Sequence, residues 1–325
     1  MTKKIVSVVF SFRNEAANLP ALIDRMQTVM GAQPEDYELI FVNDDSSDIS
    51  LDILKAAHKG NPRVKILNMS RRFGVSECVL AGMAAARGDA VVYLDTDLQD
   101  PPELIPKLLE RWRNGVDVVN TVRTARLGET KFKKFVTRLA YGLIGFASDT
   151  KLITEAGDFK LVSRRALDHL LSLKEHDPYL RGLISWVGFT QVTVPYEREA
   201  RFGGVTKFPL HSRGPWKMFA IGLTSFSFMP IYGIFAVAVL GLVAVGVLGL
   251  TSAGLALAGR ESASAIGFLA LLTFFWATLM ASVAVVGIYV ARTYKEARGR
   301  PRYIVRDRIG FEAAPESGDA DAPAS

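Results

Sequence analysis

A doubly wound, mostly parallel α/β sheet followed by a two-helix transmembrane hairpin is the fold class this sequence predicts, on three observations. Short Val- and Ile-rich runs alternate with helical stretches from Ile5 to Val122, the spacing of βαβ units. The apolar run Ala90 to Leu94 ends in acids rather than in a glycine fingerprint, as expected of a strand buried on both faces and open at its carboxyl end. Past Met218 the charges vanish: none occurs from Met218 to Gly259, nor from Ser262 to Ala291.

In chain order, Ile5 to Phe10 reads as the first strand and Ala16 to Met30 as a helix. Glu38 to Val42 is a second strand, and Asn43 to Asp48 a cap-rich loop opening a helix that runs to about His58. Val64 to Leu67 is a third strand, followed by Ser70 to Gly74 and a small-residue helix, Cys78 to Ala86. Beyond the Ala90 to Leu94 strand, Val116 to Val122 and Gly157 to Val162 have strand character, and Val192 to Val194 closes an apolar stretch built around Arg181 and Trp186.

The chain of 325 residues has room for one large domain or two smaller ones. Its net charge of +6 suits nucleic acid, anionic lipid or phosphorylated substrates. The single cysteine, Cys78, excludes an intrachain disulfide and a Cys-based zinc site, and packs as a small hydrophobe among apolar neighbours. Only the six residues Ile5 to Phe10, five of them apolar, lie between Lys4 and Ser11, too few for a signal-peptide core, so the front of the chain is expected in the cytoplasm.

The chemistry concentrates in Asp95-Thr96-Asp97-Leu98-Gln99-Asp100-Pro101-Pro102-Glu103. On an extended path Asp95, Asp97 and Gln99 share one face. Two carboxylates and an amide oxygen at one point suit Mg²⁺ or Mn²⁺, which takes the rest of its shell from water and a substrate's phosphates. Asp100, three residues before Glu103 and ahead of the double proline, reads as a helix N-cap with its capping-box acid.

A helix needs about 20 apolar residues to cross a bilayer. The resulting organisation is a cytoplasmic domain over 1–200, a basic juxtamembrane or interfacial segment over 201–229, and transmembrane helices within 230–291, at about 231–257 and 266–289. A tail over 292–325 follows, basic to residue 308 and then acidic and disordered. Basic flanks outside the two spans and a nearly neutral turn between them place the α/β domain and both termini in the cytoplasm, in a multi-pass protein of the inner (plasma) membrane. Arg123 to Arg138 carries six basic residues and one acid among aromatics, as a segment lying on anionic lipid would.

Six stretches in order resemble the inverting family 2 glycosyltransferases that act on polyprenyl phosphates, such as bactoprenol glucosyltransferases and dolichol-phosphate mannose synthases. They are Ser11-Phe12-Arg13-Asn14-Glu15, Asn43-Asp44-Asp45-Ser46-Ser47-Asp48, Arg71-Arg72-Phe73-Gly74, the Asp95 to Glu103 run, Gly157-Asp158-Phe159, and Arg201-Phe202-Gly203-Gly204-Val205-Thr206-Lys207. The resemblance implies a GT-A fold, a nucleotide diphosphate sugar donor and a lipid phosphate acceptor. By it, Asp44 meets the donor base, with Phe12, Asn14, Glu15 and Arg71 around the nucleotide sugar. Asp95, Asp97 and Gln99 match the metal and ribose-diphosphate site. Asp97 and Asp158 match catalytic positions, Asp158 as a base or an orienting group. Arg201 and Lys207, and more loosely Arg123, Arg126 and Arg138, match the residues that hold lipid phosphate and diphosphate. Asp45 stands where the family usually has Gly, and Arg72 where Asn is common.

The expected reaction is hexose transfer to undecaprenyl or another polyprenyl phosphate, giving a lipid-linked sugar for cell-envelope glycans. UDP-glucose is the first donor, with UDP-galactose, GDP-mannose and an aminoarabinose donor behind it. A processive polysaccharide synthase would need more spans and a Gln-x-x-Arg-Trp motif, which is absent. Intact acids argue against a non-catalytic membrane scaffold, and basic residues beside the spans rather than in a nucleic-acid motif argue against RNA or DNA. Gly- and Ala-rich spans can pack closely, which allows a homo-oligomer.

Overall fold

The structure, a computed structural model, describes residues 3–123, 156–197, 228–258 and 262–312. It divides into two compact units, one of residues 1–135, 152–211 and 301–325, the other of residues 136–151 and 212–300.

The first unit is an eight-stranded sheet with helices on both faces. Its strands are β1 (Ile5–Phe12), β2 (Asp36–Asn43), β3 (Val64–Met69), β4 (Ala90–Tyr93), β5 (Val118–Arg123), β6 (Ala156–Ser163), β7 (Gln191–Tyr196) and β8 (Val305–Ile309). Between them run α1 (Leu19–Gly31), α2 (Ser50–Gly60), α3 (Val75–Ala85), α4 (Ile105–Arg113), α5 (Arg164–Ser172) and α6 (Leu180–Trp186). The strand order is β7-β5-β6-β4-β1-β2-β3-β8. β1 pairs in parallel with β2 and β4, as do β2 with β3 and β5 with β7; β6 and β8 run antiparallel to their neighbours. The expected mostly parallel, doubly wound sheet is therefore present, with two reversed strands that the apolar runs alone did not distinguish.

Strand alternation sorts the core into two layers. Val6, Val8 and Phe10 of β1, with Leu39, Phe41, Val92, Phe159 and Leu161, pack against Leu22 and Met26 of α1 and Leu108 of α4. Phe10 stacks on Phe41 with ring centroids 4.6 Å apart. Val9 faces the opposite layer, where α3 lies close enough that a Cβ on Gly82 would sit 2.4 Å from a Val9 methyl. At the edge away from the carboxyl ends, buried Glu38 is satisfied by the Ser7 hydroxyl, the Arg87 backbone N–H and Lys65, the last at 2.7 Å. A buried carboxylate needs such partners to offset its desolvation.

Within the stretch expected to be a basic tail, residues 305–309 form β8, hydrogen-bonded along β3. Seven Lys or Arg residues between 292 and 308 masked the short alternation of Val305 and Ile309, which turn inward while Arg306, Asp307 and Arg308 stay exposed. Charged outward residues are how natural sheets protect an edge strand.

The second unit contains α7 (Met229–Leu257) and α8 (Ser262–Ala297). Each holds a candidate span of 27 residues, Met229–Leu255 and Leu271–Ala297, with an 18-residue window of mean hydropathy 2.6 and 2.1 respectively. Almost none of either window is buried by protein, so neither is a soluble core helix, and both are long and apolar enough to span hydrocarbon. Gly241 lets the two helices approach, its place for a Cβ lying 3.2 Å from the Phe275 ring.

Two helices that cross a bilayer as a hairpin would put the turn near Ala258 on the side opposite Lys295. Because Cys78 is buried, cysteines introduced at Ala258 and Lys295 report cleanly. In sealed vesicles an impermeant thiol reagent should reach one of them at once and the other only after detergent. Equal labelling of both without detergent would contradict the two-crossing hairpin.

Candidate active site

Asp44, Asp95, Asp97 and Asp158 all follow or open strands at one edge of the sheet. β1, β2 and β4 share a direction, and β6 opposes β4 with Tyr93 across from Lys160. The carboxyl ends of β1, β2 and β4 and the amino end of β6 therefore come to the same edge. The order of strands also reverses there, β2 and β3 lying to one side of β1 and β4 to the other. Open α/β sheets bind ligands in the crevice outside such a switch point.

Two loops are stitched together at that edge. After β1, the backbone N–H groups of Asn14, Glu15 and Ala16 donate to Ser46 Oγ, Ser50 Oγ and Asp48 Oδ2 at 3.0, 3.0 and 3.3 Å. Asn14 Oδ1 accepts the Ser47 N–H at 2.8 Å. Glu15 accepts from the Asn18 side chain at 2.7 Å, and Phe12 is buried edge-on to Phe41, rooting the loop in the core. Asp44, 5% exposed, accepts the N–H groups of Phe73 at 2.7 Å and Gly74 at 3.2 Å, tying a third loop to the second. Arg71 is exposed and lies over the Phe73 ring at 3.9 Å.

Cys78 does not have the wholly apolar surroundings expected. Burial raises its thiol pKa, and the neighbouring carboxylate of Asp44 raises it further, so it is an unreactive thiol under the loop. Asp45 has φ of 58°, which accounts for glycine at this position in the resembled family: the backbone is left-handed, and Asp is among the few other residues that tolerate it.

Asp95 and Asp97 follow β4 directly. Asp95 accepts the Tyr93 hydroxyl at 3.2 Å, and Asp97, 7% exposed, accepts the Gln99 backbone N–H at 3.2 Å. The extended path does not continue through Gln99: Leu98 adopts φ of 57°, and the chain turns on Asp97. The alternation that put Gln99 on a shared face therefore fails at this bend. Among the described residues no group of three or more His, Cys, Asp or Glu side chains is placed to hold a metal. A pair of carboxylates nevertheless fits Mg²⁺ or Mn²⁺ chemistry, since these ions take one or two protein carboxylates and complete their shell with water and phosphate oxygens.

The double proline yields a short 3₁₀ turn, Pro102–Leu104, before α4, and neither helix start has a side-chain cap. Asp100 is therefore not the cap the sequence implied. Fully buried, it accepts the Tyr196 hydroxyl and faces Arg123 at 3.8 Å. Glu103, expected to complete a capping box, instead pairs with Arg25 at 2.6 and 2.9 Å. Tertiary partners outcompeted the local bond because Asp100 is carried inward, where a charge needs strong donors.

Asp158 is gripped through both oxygens by Arg181, at 2.8 and 2.6 Å. Burial raises its pKa, but Arg181, with Lys160 and Arg123 behind it, outweighs burial and holds the carboxyl below the ordinary carboxylate range. Lys160 is 2% exposed, and desolvation brings its amine down to about 8 despite Asp158. Tyr93 is pushed up by burial and then by Asp95 and Asp158. Arg123 donates to the Tyr196 hydroxyl at 3.1 Å. Arg126, Arg138, Arg201 and Lys207 lie outside the described residues.

The sequence profile described as "Glycosyl transferase family 2" matches residues 7–171. Among curated proteins the chain is 39% identical to glycosyltransferase YkcC of Bacillus subtilis (strain 168) over 94% of both chains. It is 30% identical to a bactoprenol glucosyl transferase of Shigella phage SfX, over 93% of this chain and 99% of that one. The chain belongs to glycosyltransferase family 2. Among solved structures it is similar to glucosyl-3-phosphoglycerate synthase of Mycobacterium tuberculosis, with 20% identity and a TM-score of 0.46, over 68% of this chain and 78% of that chain.

For a family 2 glycosyltransferase the residues missed from sequence are Arg181, Lys160 and the phenols Tyr93 and Tyr196 around Asp158. Arg181 carried a signal, a lone guanidinium in an apolar stretch that has to find an acid. Lys160 carried none, because it sits in an otherwise ordinary buried strand; Tyr93 and Tyr196 read as core aromatics.

The Asp158 to Arg181 pair has a testable energy. A carboxyl whose folded pKa lies below its unfolded value of 3.8 stabilises fully above that value and loses the contribution as pH falls through the folded one. Arg181→Met should therefore cost about 1–3 kcal/mol at pH 7, less than a fully buried pair because both groups remain partly exposed. Asp158→Asn in the same background should recover part of it. Urea melts at pH 7 measure both, and unchanged midpoints would show that the pair contributes nothing.

Proposed function

We propose that this glycosyltransferase moves a hexose from a nucleoside diphosphate sugar, with UDP-glucose the first choice, to polyprenyl phosphate with inversion. What carries the reading is one chain holding Asp95, Asp97 and Asp158 at a switch-point edge together with two apolar spans of membrane length. The names of relatives such as the Shigella phage bactoprenol glucosyl transferase support the acceptor. A lipid-borne acceptor and a water-soluble donor have to meet at a membrane surface. The return of the chain to the sheet as β8 supports a multi-pass protein with its catalytic domain and both termini on one side, which the basic flanks make the cytoplasmic one. The glycine-rich α7 is compatible with close packing in a homo-oligomer.

In the proposed reaction an acceptor phosphate oxygen forms a bond to the anomeric carbon while the bond from that carbon to the diphosphate breaks. The electron pair leaves on the nucleoside diphosphate. The loops after β1 and β2 hold the nucleoside, with Asp44 at the base and Asn14 and Glu15 beside it. A divalent ion held by Asp95 and Asp97, with Gln99 adjacent, would neutralise charge on the departing diphosphate. Arg123, and outside the described residues Arg126, Arg138, Arg201 and Lys207, are the cations proposed to hold phosphate groups, with Arg71 beside the nucleotide sugar.

Asp158 fits orientation and electrostatics better than proton removal. Its lowered pKa makes it a weak base, and a phosphate acceptor with a second pKa near 6 is already largely ionised at neutral pH. Charge opposite the developing oxocarbenium ion, fixed by Arg181, is what a preorganised carboxylate supplies.

Transfer of radiolabel from UDP-glucose, UDP-galactose, GDP-mannose and an aminoarabinose donor into extractable undecaprenyl phosphate tests the assignment. UDP-glucose should be most active, chelator should abolish transfer, and Asp97→Asn should lower turnover by about 10²-fold or more while the protein stays folded. No label in lipid from any donor would overturn the acceptor, and full activity in excess chelator would overturn the metal role.

Between about pH 5.5 and 8.5, spanning the phosphate's second ionisation, Asp158→Asn should lose a constant factor relative to wild type. Recovery towards wild-type rates at the alkaline end would make Asp158 the base instead.

A further inference from the structure

The strand that follows the membrane hairpin reaches the loop that follows β2. In β8, Asp307 lies opposite Asn68 of β3, next to a shift in register. Asn68 is 1% exposed and donates its amide nitrogen to Asp307 Oδ1 at 2.5 Å. Its amide oxygen accepts the Asn43 side-chain N–H at 3.1 Å. Asn43, also buried, accepts the Ser46 backbone N–H on its own amide oxygen at 2.9 Å. Ser46 in turn receives the Asn14 backbone N–H on its hydroxyl at 3.0 Å.

This chain has a direction. A carboxylate only accepts, whereas an amide presents a donor at one end and an acceptor at the other. Asp307 therefore dictates that Asn68 turns its nitrogen outward, Asn68 dictates the orientation of Asn43, and Asn43 meets the Ser46 N–H with oxygen. Without an obligate acceptor at the start, both amides can flip together and keep their mutual bond. The Ser46 N–H would then face a donor, at the cost of an unmade buried hydrogen bond.

We infer that Asp307 is a positioning residue for the donor site: the segment beyond the hairpin sets the conformation of the 43–50 loop through Asn68 and Asn43. The inference rests on the proposal that this loop holds the nucleoside, since Asp44 is its next residue. A solvated acid protecting a sheet edge is the ordinary alternative. Against it, one oxygen of Asp307 is committed to an amide that is itself buried, and the opposite polarity would break the relay.

The test uses the full-length protein in detergent, with Asp307→Ala, which keeps strand pairing but removes the acceptor, and Asp307→Glu, which keeps one. Hydrogen exchange of the peptide covering 43–50, measured without ligand, should speed up about tenfold in Asp307→Ala and stay near wild type in Asp307→Glu. The dissociation constant for UDP, and KM for the donor, should rise about three- to tenfold in Asp307→Ala with kcat within about twofold and the melting temperature within about 2 °C. Unchanged exchange and affinity in Asp307→Ala would overturn the relay, as would a parallel loss of melting temperature, kcat and affinity, the mark of a structural staple. Wild-type protein that binds neither UDP nor GDP would overturn the nucleoside reading beneath it, and the ligand-free exchange result keeps that failure distinct from failure of the relay.

Discussion

The parallel pairing of β1 with β4 is the constraint on which the site depends. Val6 to Val9 lie in register with Ala90 to Tyr93, and every one of those β4 residues is buried. Because β2 and β3 lie on the far side of β1, the sheet splits its connections at this pair and leaves a crevice beyond the strand ends. β4 is only four residues long, so the ladder stops and Asp95 and Asp97 are released at the edge. An acid one turn earlier would be buried in the sheet; one much later would belong to α4.

The other side of the crevice is organised by charge. Asp158, Arg181, Lys160, Arg123 and Asp100 bring two acids and three cations into a poorly solvated region. Such a set persists only if opposite charges and phenol donors compensate desolvation. The bidentate Arg181 contact and the Tyr196 hydroxyl on Asp100 do this, and Tyr196 is itself pushed up to about 12 by burial and by Asp100. The consequence is a fixed field rather than a proton relay. That suits the proposed transfer, whose nucleophile would already be an anion and whose difficulty is charge separation at the sugar.

The C-terminal strand gives the sheet a second function beyond scaffolding. β3 would otherwise be an unpaired edge, and β8 covers it with charged residues facing outward. The same strand makes the sheet continuous in sequence with both ends of the membrane hairpin. Arg302 strengthens the attachment, its guanidinium donating to the Leu173 carbonyl at 2.8 Å beyond α5.

Strand and helix periodicity, and the loss of charge after Met218, determined much of this protein without coordinates: the βαβ order, two spans and an acid-rich strand end. These features are local, because a buried strand must be apolar along its own length and a bilayer demands its own run of apolar residues. What only tertiary structure decided was pairing between distant residues. Asp100 looked like a cap because the local bond was available, and it became a buried partner of Tyr196 because the fold carried it inward. Gln99 left the shared face because Leu98 turned the chain. Arg181 reached Asp158 from 23 residues away because the fold brings α6 beside β6, and β8 emerged from a run of arginines because β3 offered an open edge. For Asp100 and Arg181 the deciding energy is desolvation met by a partner far away in sequence, and no window of neighbouring residues contains it.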